Sequence, residues 1–134
     1  MGRKISREEA MKVLFSKGIT KESVDEVIEN YLDEFEGDKS QLDLDYIKNI
    51  LLGIEEKHEE IDALIEKNLK NWKIERISKV NLAILRIAVY EMKYVDDVPD
   101  KVALNEAIEI CKKYSDEKSV SFVNGVLDAI LKSM

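Results

Sequence analysis

Three residues near the end of the chain share one side of a predicted helix and could bind nucleic acid together. Lys118, Phe122 and Gly125 are spaced i, i+4 and i+7, which places them on one flank of the helix. They offer a cation, an aromatic face and a surface without a side chain, which suits stacking of an unpaired base beside a phosphate. The alternative is that Phe122 completes the core against a neighbouring helix, and the spacing leaves both interpretations open.

The basic beginning of the chain is a second candidate site. Residues 1–20 carry five Lys or Arg and two Asp or Glu, whereas residues 21–66 carry four and 16. A basic end on an acidic body indicates local recognition of an anion, because a protein that binds nucleic acid with its whole surface is more often basic throughout. A solvated basic tail is the competing interpretation. Arg7 continues the apolar stripe of the first helix, and we expect it to project past the edge of the core.

Groups that could support catalysis or bind a cofactor are scarce. The single histidine, His58, lies in an acidic run, and the chain has no phosphate-loop, dinucleotide-binding or zinc motif. Four arginines spread along the chain also disfavour a small helical enzyme with a pocket for an anionic substrate. The sequence therefore predicts a protein that is not an enzyme and has no cofactor and no metal.

The cellular setting follows from the cysteine count and from the apolar stretches. Cys111 is the only cysteine, which excludes a disulfide framework and favours a reducing compartment. The longest strongly apolar stretch, residues 82–90, falls short of the ~20 residues that a bilayer requires. We expect a cytoplasmic protein without a membrane segment.

The elements that must position these residues are helices. One proline and five glycines among 134 residues are too few for the many turns of an all-β fold, and apolar residues recur at helical spacing. We expect a capping box at Ser6, a second cap at Thr20, and one long helix or two collinear helices from Asp43 to about Trp72. Ser115 or Asp116 should cap the last helix.

The segment at residues 77–94 is apolar on most sides, which predicts a helix buried among the others. Arg86 and Glu91 within it require buried or half-buried partners, since unpaired charges there would be very costly. Pro99 suits the first turn of the next helix. Gly53 and Gly125 lie within helical patterns, which close helix packing would explain.

Taken together, these segments resemble the NusB family of bacterial transcription antitermination factors. The opening helix matches at Arg7, Ala10, Leu14 and Phe15. The more specific matches are residues 72–77 (WKIERI), 82–91 (LAILRIAVYE), 98–99 (VP), 105–109 (NEAIE) and 122–128 (FVNGVLD). The resemblance spans nearly the whole chain with compatible spacing.

The resemblance implies an all-α fold of two packed helical bundles, with about six to seven helices in a single domain over residues 1–134. The N-terminal subdomain would comprise residues 1–72 and the C-terminal subdomain residues 73–134. It also implies a function without catalysis. NusB-like proteins pair with the small-subunit ribosomal protein NusE, and the pair binds boxA RNA of ribosomal RNA leader transcripts. The complex then helps RNA polymerase read through terminators.

The resemblance also assigns residues to these contacts. Arg3, Lys4 and Arg7 would contact RNA phosphates, while Phe122 would present its ring to RNA with Lys118 on the same surface. Two further residues, Phe15 and Asn81, would contact the partner NusE. In relatives, the position of Phe15 is often tyrosine and that of Asn81 is commonly an acidic residue.

Two alternatives stay open at this point. The acidic residues between positions 21 and 66 favour a helical protein-interaction adaptor that binds no RNA. An exposed apolar face would also suit a homodimer as well as the ribosomal-protein partner.

Overall fold

The computed structural model describes residues 3–17, 23–70 and 73–134, and six α-helices lie within them. They are α1 (Arg3–Lys17), α2 (Val24–Glu34), α3 (Leu44–Lys67), α4 (Lys79–Tyr94), α5 (Asp100–Tyr114) and α6 (Glu117–Ser133). Two short 3₁₀ turns, Lys39–Gln41 and Ile74–Arg76, precede α3 and α4. The all-α prediction is confirmed. None of the described helices is both long enough and apolar enough to cross a membrane.

Most of the described helices begin at a residue whose side chain accepts a hydrogen bond from a backbone N–H group of the first turn. These caps are Ser23 for α2, Asp43 for α3, Ser78 for α4 and Asp116 for α6. Each cap satisfies a donor that has no partner within the helix. The predictions at Asp43 and Asp116 are confirmed, while Pro99 stands just before the first turn of α5. Thr20 and Trp72 lie outside the described residues, and α3 is one helix that ends at Lys67.

The predicted capping box at Ser6 is wrong, because α1 already begins at Arg3. Ser6 lies inside the helix and is fully buried, and its hydroxyl oxygen accepts the backbone N–H of Asp43 at 2.7 Å. Glu9, the expected second half of the box, instead accepts hydrogen bonds from Lys12 and Tyr31. The Ser6 hydroxyl therefore ties α1 to the start of α3, a role that only the folded chain reveals.

Helix α4 is central, as predicted, and packs against α1, α3, α5 and α6. Both of its internal charges have partners. Arg86 donates two hydrogen bonds to Asp62 of α3, at 2.9 and 2.8 Å, and Glu91 is paired with Arg7 of α1. Close packing also explains Gly53, where a Cβ atom would lie 2.2 Å from the ring of Tyr90.

Candidate nucleic-acid interface

The flank that carries Lys118 and Phe122 borders an open cavity of about 300 Å³. The cavity lies where the 3₁₀ turn before α4, the start of α4 and the start of α6 meet. Its lining consists of Arg76, Ile77, Ser78, Asn81, Asp116, Lys118, Ser119 and Phe122. The structure thus brings Lys118 and Phe122 together, and the volume is at the lower end of the range for pockets that hold small ligands.

Phe122 serves the core and the cavity at the same time. Its side chain is half-buried and packs against the hydrophobic core, while part of the ring lines the cavity. Lys118 is exposed beside it. The pKa of Asp116 is lowered, chiefly by hydrogen bonds from the backbone and side chain of Ser119 and to a smaller extent by the charge of Lys118. The cap of α6 is therefore an anion at neutral pH.

The side of α6 one turn beyond Phe122 is open. Gly125 is exposed, and a Cβ atom built on it would meet no heavy atom of the described residues within 4 Å. The expectation that close helix packing explains Gly125 is therefore wrong. The glycine instead leaves a bare stretch of helix surface next to Phe122, as its place on the flank predicts.

Asn81 lies beneath the cavity and is only 6% exposed. Its amide nitrogen donates to the hydroxyl oxygen of Ser119 at 2.9 Å, and its carbonyl oxygen accepts from the hydroxyl of Ser115 at 2.8 Å. Both ends of the amide are therefore used internally, and the direct contact of Asn81 with a partner stays a prediction. Asn81 joins α4 to the end of α5 and the start of α6.

Cys111 completes this internal junction. The thiol is fully buried, 3.9 Å from the Asn81 carbonyl oxygen, and burial raises its pKa. A protonated thiol next to a carbonyl acts as a small apolar residue with a weak donor.

At the beginning of the chain, Arg3 and Lys4 are accessible and Arg7 is not. The side chains of Arg3 and Lys4 are 40% and 74% exposed. The Arg3 guanidinium lies 3.3 Å from Asp97 and 4.8 Å from the ring centre of Tyr46. These two cations lie at the surface, as the RNA prediction requires.

Arg7 does not project past the core, so that expectation is wrong. It is 4% exposed and donates two hydrogen bonds to Glu91, at 2.6 and 2.8 Å. The hydroxyl of Tyr46 also donates to Glu91, at 2.8 Å, and Glu106 lies 3.4 Å from Arg7. Burial lowers the pKa of Arg7, but the hydrogen bond and charge of Glu91 outweigh it, so the pKa is raised. Arg7 therefore anchors α1 internally, and its contact with RNA phosphate stays a prediction.

Comparison with known proteins identifies the family. The NusB family model matches residues 4–132. This chain belongs to the NusB family. The transcription antitermination protein NusB of Clostridium botulinum (strain Alaska E43 / Type E3) is 57% identical over 132 residues, which cover 98% of this chain and 99% of the relative. The solved structure of NusB from T. maritima is similar with a TM-score of 0.82 at 37% identity, covering 97% of this chain and 90% of that one.

A further solved structure contains a NusB protein together with other molecules. It is a crystal structure of the antitermination factors NusB and NusE in complex with dsRNA. Its matching chain is 30% identical with a TM-score of 0.83, covering 99% of this chain and 98% of that one.

Phe15, the other residue matched to the NusB partner surface, is exposed. Its side chain is 43% accessible near the end of α1. Lys12, one turn earlier on the same side of the helix, has its ammonium 5.7 Å from the ring centre of Tyr114, which is itself 36% exposed. Phe15 thus lies where a partner protein could reach it, and its role stays a prediction.

Arg76 is a further cation of the cavity lining, and the sequence alone does not single it out. It is exposed, it lines the cavity with Lys118 and Phe122, and no ion pair involves it among the described residues. From the sequence it was only one of four scattered arginines. The sequence places Arg76 shortly before α4, but only the fold brings that turn next to α6.

Proposed function

We propose that this chain is a transcription antitermination factor that binds boxA RNA of ribosomal RNA leader transcripts together with NusE. The bound complex would promote read-through by RNA polymerase in the cytoplasm, without catalysis. The family membership supports this function, because the relatives are transcription antitermination proteins and a similar chain occurs in a complex with NusE and dsRNA. The observation that carries the proposal is the open cavity, where two cations border an aromatic ring.

Each part of the cavity has a role in this proposal. The Phe122 ring stacks on an unpaired base, which adds affinity without needing a paired RNA stem. Lys118 and Arg76 contact the phosphates on either side of that base. The exposed cations Arg3 and Lys4 add phosphate contacts at the beginning of α1, and their contribution weakens as salt concentration rises.

The partner surface is separate from the cavity in this proposal. Phe15 supplies an exposed aromatic side chain for NusE. Asn81 acts indirectly, because its buried amide fixes the start of α6 on which Lys118 and Phe122 stand.

Fluorescence anisotropy of a labelled boxA RNA tests this function. The protein is titrated with and without NusE, at two salt concentrations, against a scrambled RNA. We expect selective binding that tightens with NusE and weakens with salt. Phe122→Ala should reduce boxA affinity roughly 5- to 150-fold, the equivalent of about 1–3 kcal/mol for one stacked base. Phe122→Leu keeps apolar contact with the core and should lose a similar amount.

Two results would contradict the proposal. One is the absence of selectivity even with NusE, which would favour the helical adaptor without RNA binding. The other is a Phe122→Leu variant that unfolds at the same urea concentration as the parent and binds boxA with unchanged affinity.

A further inference from the structure

Both exposed cations of the α1 N-terminus face a carboxylate from the α4–α5 region. Arg3 lies 3.3 Å from Asp97, whose side chain is 69% exposed, and the turn that holds Asp97 connects α4 to α5. Lys4 lies 3.8 Å from Glu106 of α5. Two of the side chains that the proposed function assigns to RNA phosphates, Arg3 and Lys4, therefore already lie beside carboxylates of the protein itself.

The Arg3–Asp97 pair is of the kind that opens readily. Ion pairs between exposed side chains are weak, since water and salt screen them and both side chains lose freedom when they pair. A carboxylate and a phosphate are also the same kind of acceptor for a guanidinium group. RNA phosphate can therefore replace Asp97 as the partner of Arg3, but only by competing with it.

We propose that Asp97 limits the affinity of this chain for RNA, because its carboxylate competes with RNA phosphate for Arg3. The inference rests on the proposed function. Competition at Arg3 weakens the electrostatic attraction that any RNA experiences, whatever its sequence. An RNA that also stacks a base in the Phe122 cavity stays bound, whereas an RNA held by phosphate contacts alone dissociates.

A matched pair of variants tests the competition. Asp97→Asn removes the carboxylate that faces Arg3, and asparagine is tolerated in turns. Asp96→Asn makes the same change of net charge at the neighbouring exposed residue, for which the structure gives no contact with Arg3. Affinity for boxA and for a scrambled RNA is measured by anisotropy at low salt for both variants in the full-length protein.

We expect Asp97→Asn to tighten binding of both RNAs about two- to five-fold, the range for an exposed ion pair. Asp96→Asn should have a smaller effect, through long-range attraction alone. In an Arg3→Gln background the two Asn variants should become equivalent, because the competing cation is absent. The difference between them should also fade at high salt.

The outcomes separate this inference from the proposed function. Equal effects of Asp97→Asn and Asp96→Asn, with boxA still bound selectively, overturn the competition and leave the function standing. A stronger effect of Asp97→Asn on RNA that is bound without any selectivity supports the competition and contradicts the boxA function.

Discussion

The molecule has two cationic regions, and they differ in what surrounds the charges. At the beginning of α1, Arg3, Lys4 and Arg7 each lie within 4 Å of a carboxylate. At the cavity, Arg76 and Lys118 form no ion pair among the described residues, and they border an aromatic ring. The beginning of α1 has more Lys and Arg residues than the cavity, but its cations are already paired with carboxylates. Which charges are available for RNA is decided by carboxylates far away in the sequence.

The largest expected effect is on stability, at the buried end of the first region. Arg7→Ala leaves Glu91 charged and buried with Tyr46 as its remaining donor, so we expect the free energy of unfolding to fall by about 3–5 kcal/mol. Urea denaturation followed by circular dichroism measures it. Arg3→Ala is the matched control, since its exposed pair is worth at most about 1 kcal/mol.

A double variant sharpens this result. Arg7→Met combined with Glu91→Leu removes both charges and should cost less stability than Arg7→Ala alone. If instead Arg7→Ala lowers the free energy of unfolding no more than Arg3→Ala does, burial of the Arg7 ion pair does not contribute to stability.

The next effect concerns the floor of the cavity, which Asn81 forms with Ser115 and Ser119. Asn81→Leu removes the acceptor of the Ser115 hydroxyl and one hydrogen bond of the Ser119 hydroxyl, which should cost about 1–3 kcal/mol of stability. Under conditions where the variant is folded, we expect its affinity for NusE to be unchanged in a titration. Loss of NusE affinity with unchanged stability would mean that Asn81 contacts the partner directly.

The cations of the cavity should show themselves in the salt dependence of binding. Lys118→Gln and Arg76→Gln should each weaken boxA and scrambled RNA alike and reduce the slope of log affinity against log salt by about one. Lys79→Gln is the control, because Lys79 is exposed nearby on α4 but does not line the cavity. If all three variants lower the slope equally, the cations of the cavity contact RNA no more than other surface cations do.

The smallest effect is expected at the open side of α6. Gly125→Ala should raise the free energy of unfolding by about 0.5–1 kcal/mol, because alanine favours the helix and its methyl group meets open space. We expect boxA affinity to fall, since the methyl group enters the surface beside Phe122. Gly53→Ala should instead destabilise the protein, because of the Tyr90 ring. Unchanged RNA affinity in Gly125→Ala would place the RNA away from this flank.

Local patterns predict much of this fold because they depend on neighbours in sequence. The apolar surround of α4, the cap at Asp116 and the shared flank of Lys118 and Phe122 all follow from helical spacing. The surroundings of Ser6 and Arg7 cannot be predicted from local patterns, for the opposite reason. Their positions depend on a backbone N–H of α3 and a carboxylate of α4, and nothing in the sequence near either residue reveals those partners.

The candidate site divides in the same way. Lys118 and Phe122 were predictable from one helix, whereas Arg76 joins them only because the turn before α4 packs beside α6. Asn81 was assigned to the partner surface because its position matched, yet two serines from distant segments take up its amide.

The buried thiol of Cys111 can report how often this part of the protein opens to solvent. Only a thiolate that meets solvent reacts with an alkylating reagent, and this thiol is inaccessible with a raised pKa. Labelling must therefore wait until the junction of α4, α5 and α6 separates. Since the chain has a single cysteine, the labelling rate reports how often the floor beneath the cavity comes apart.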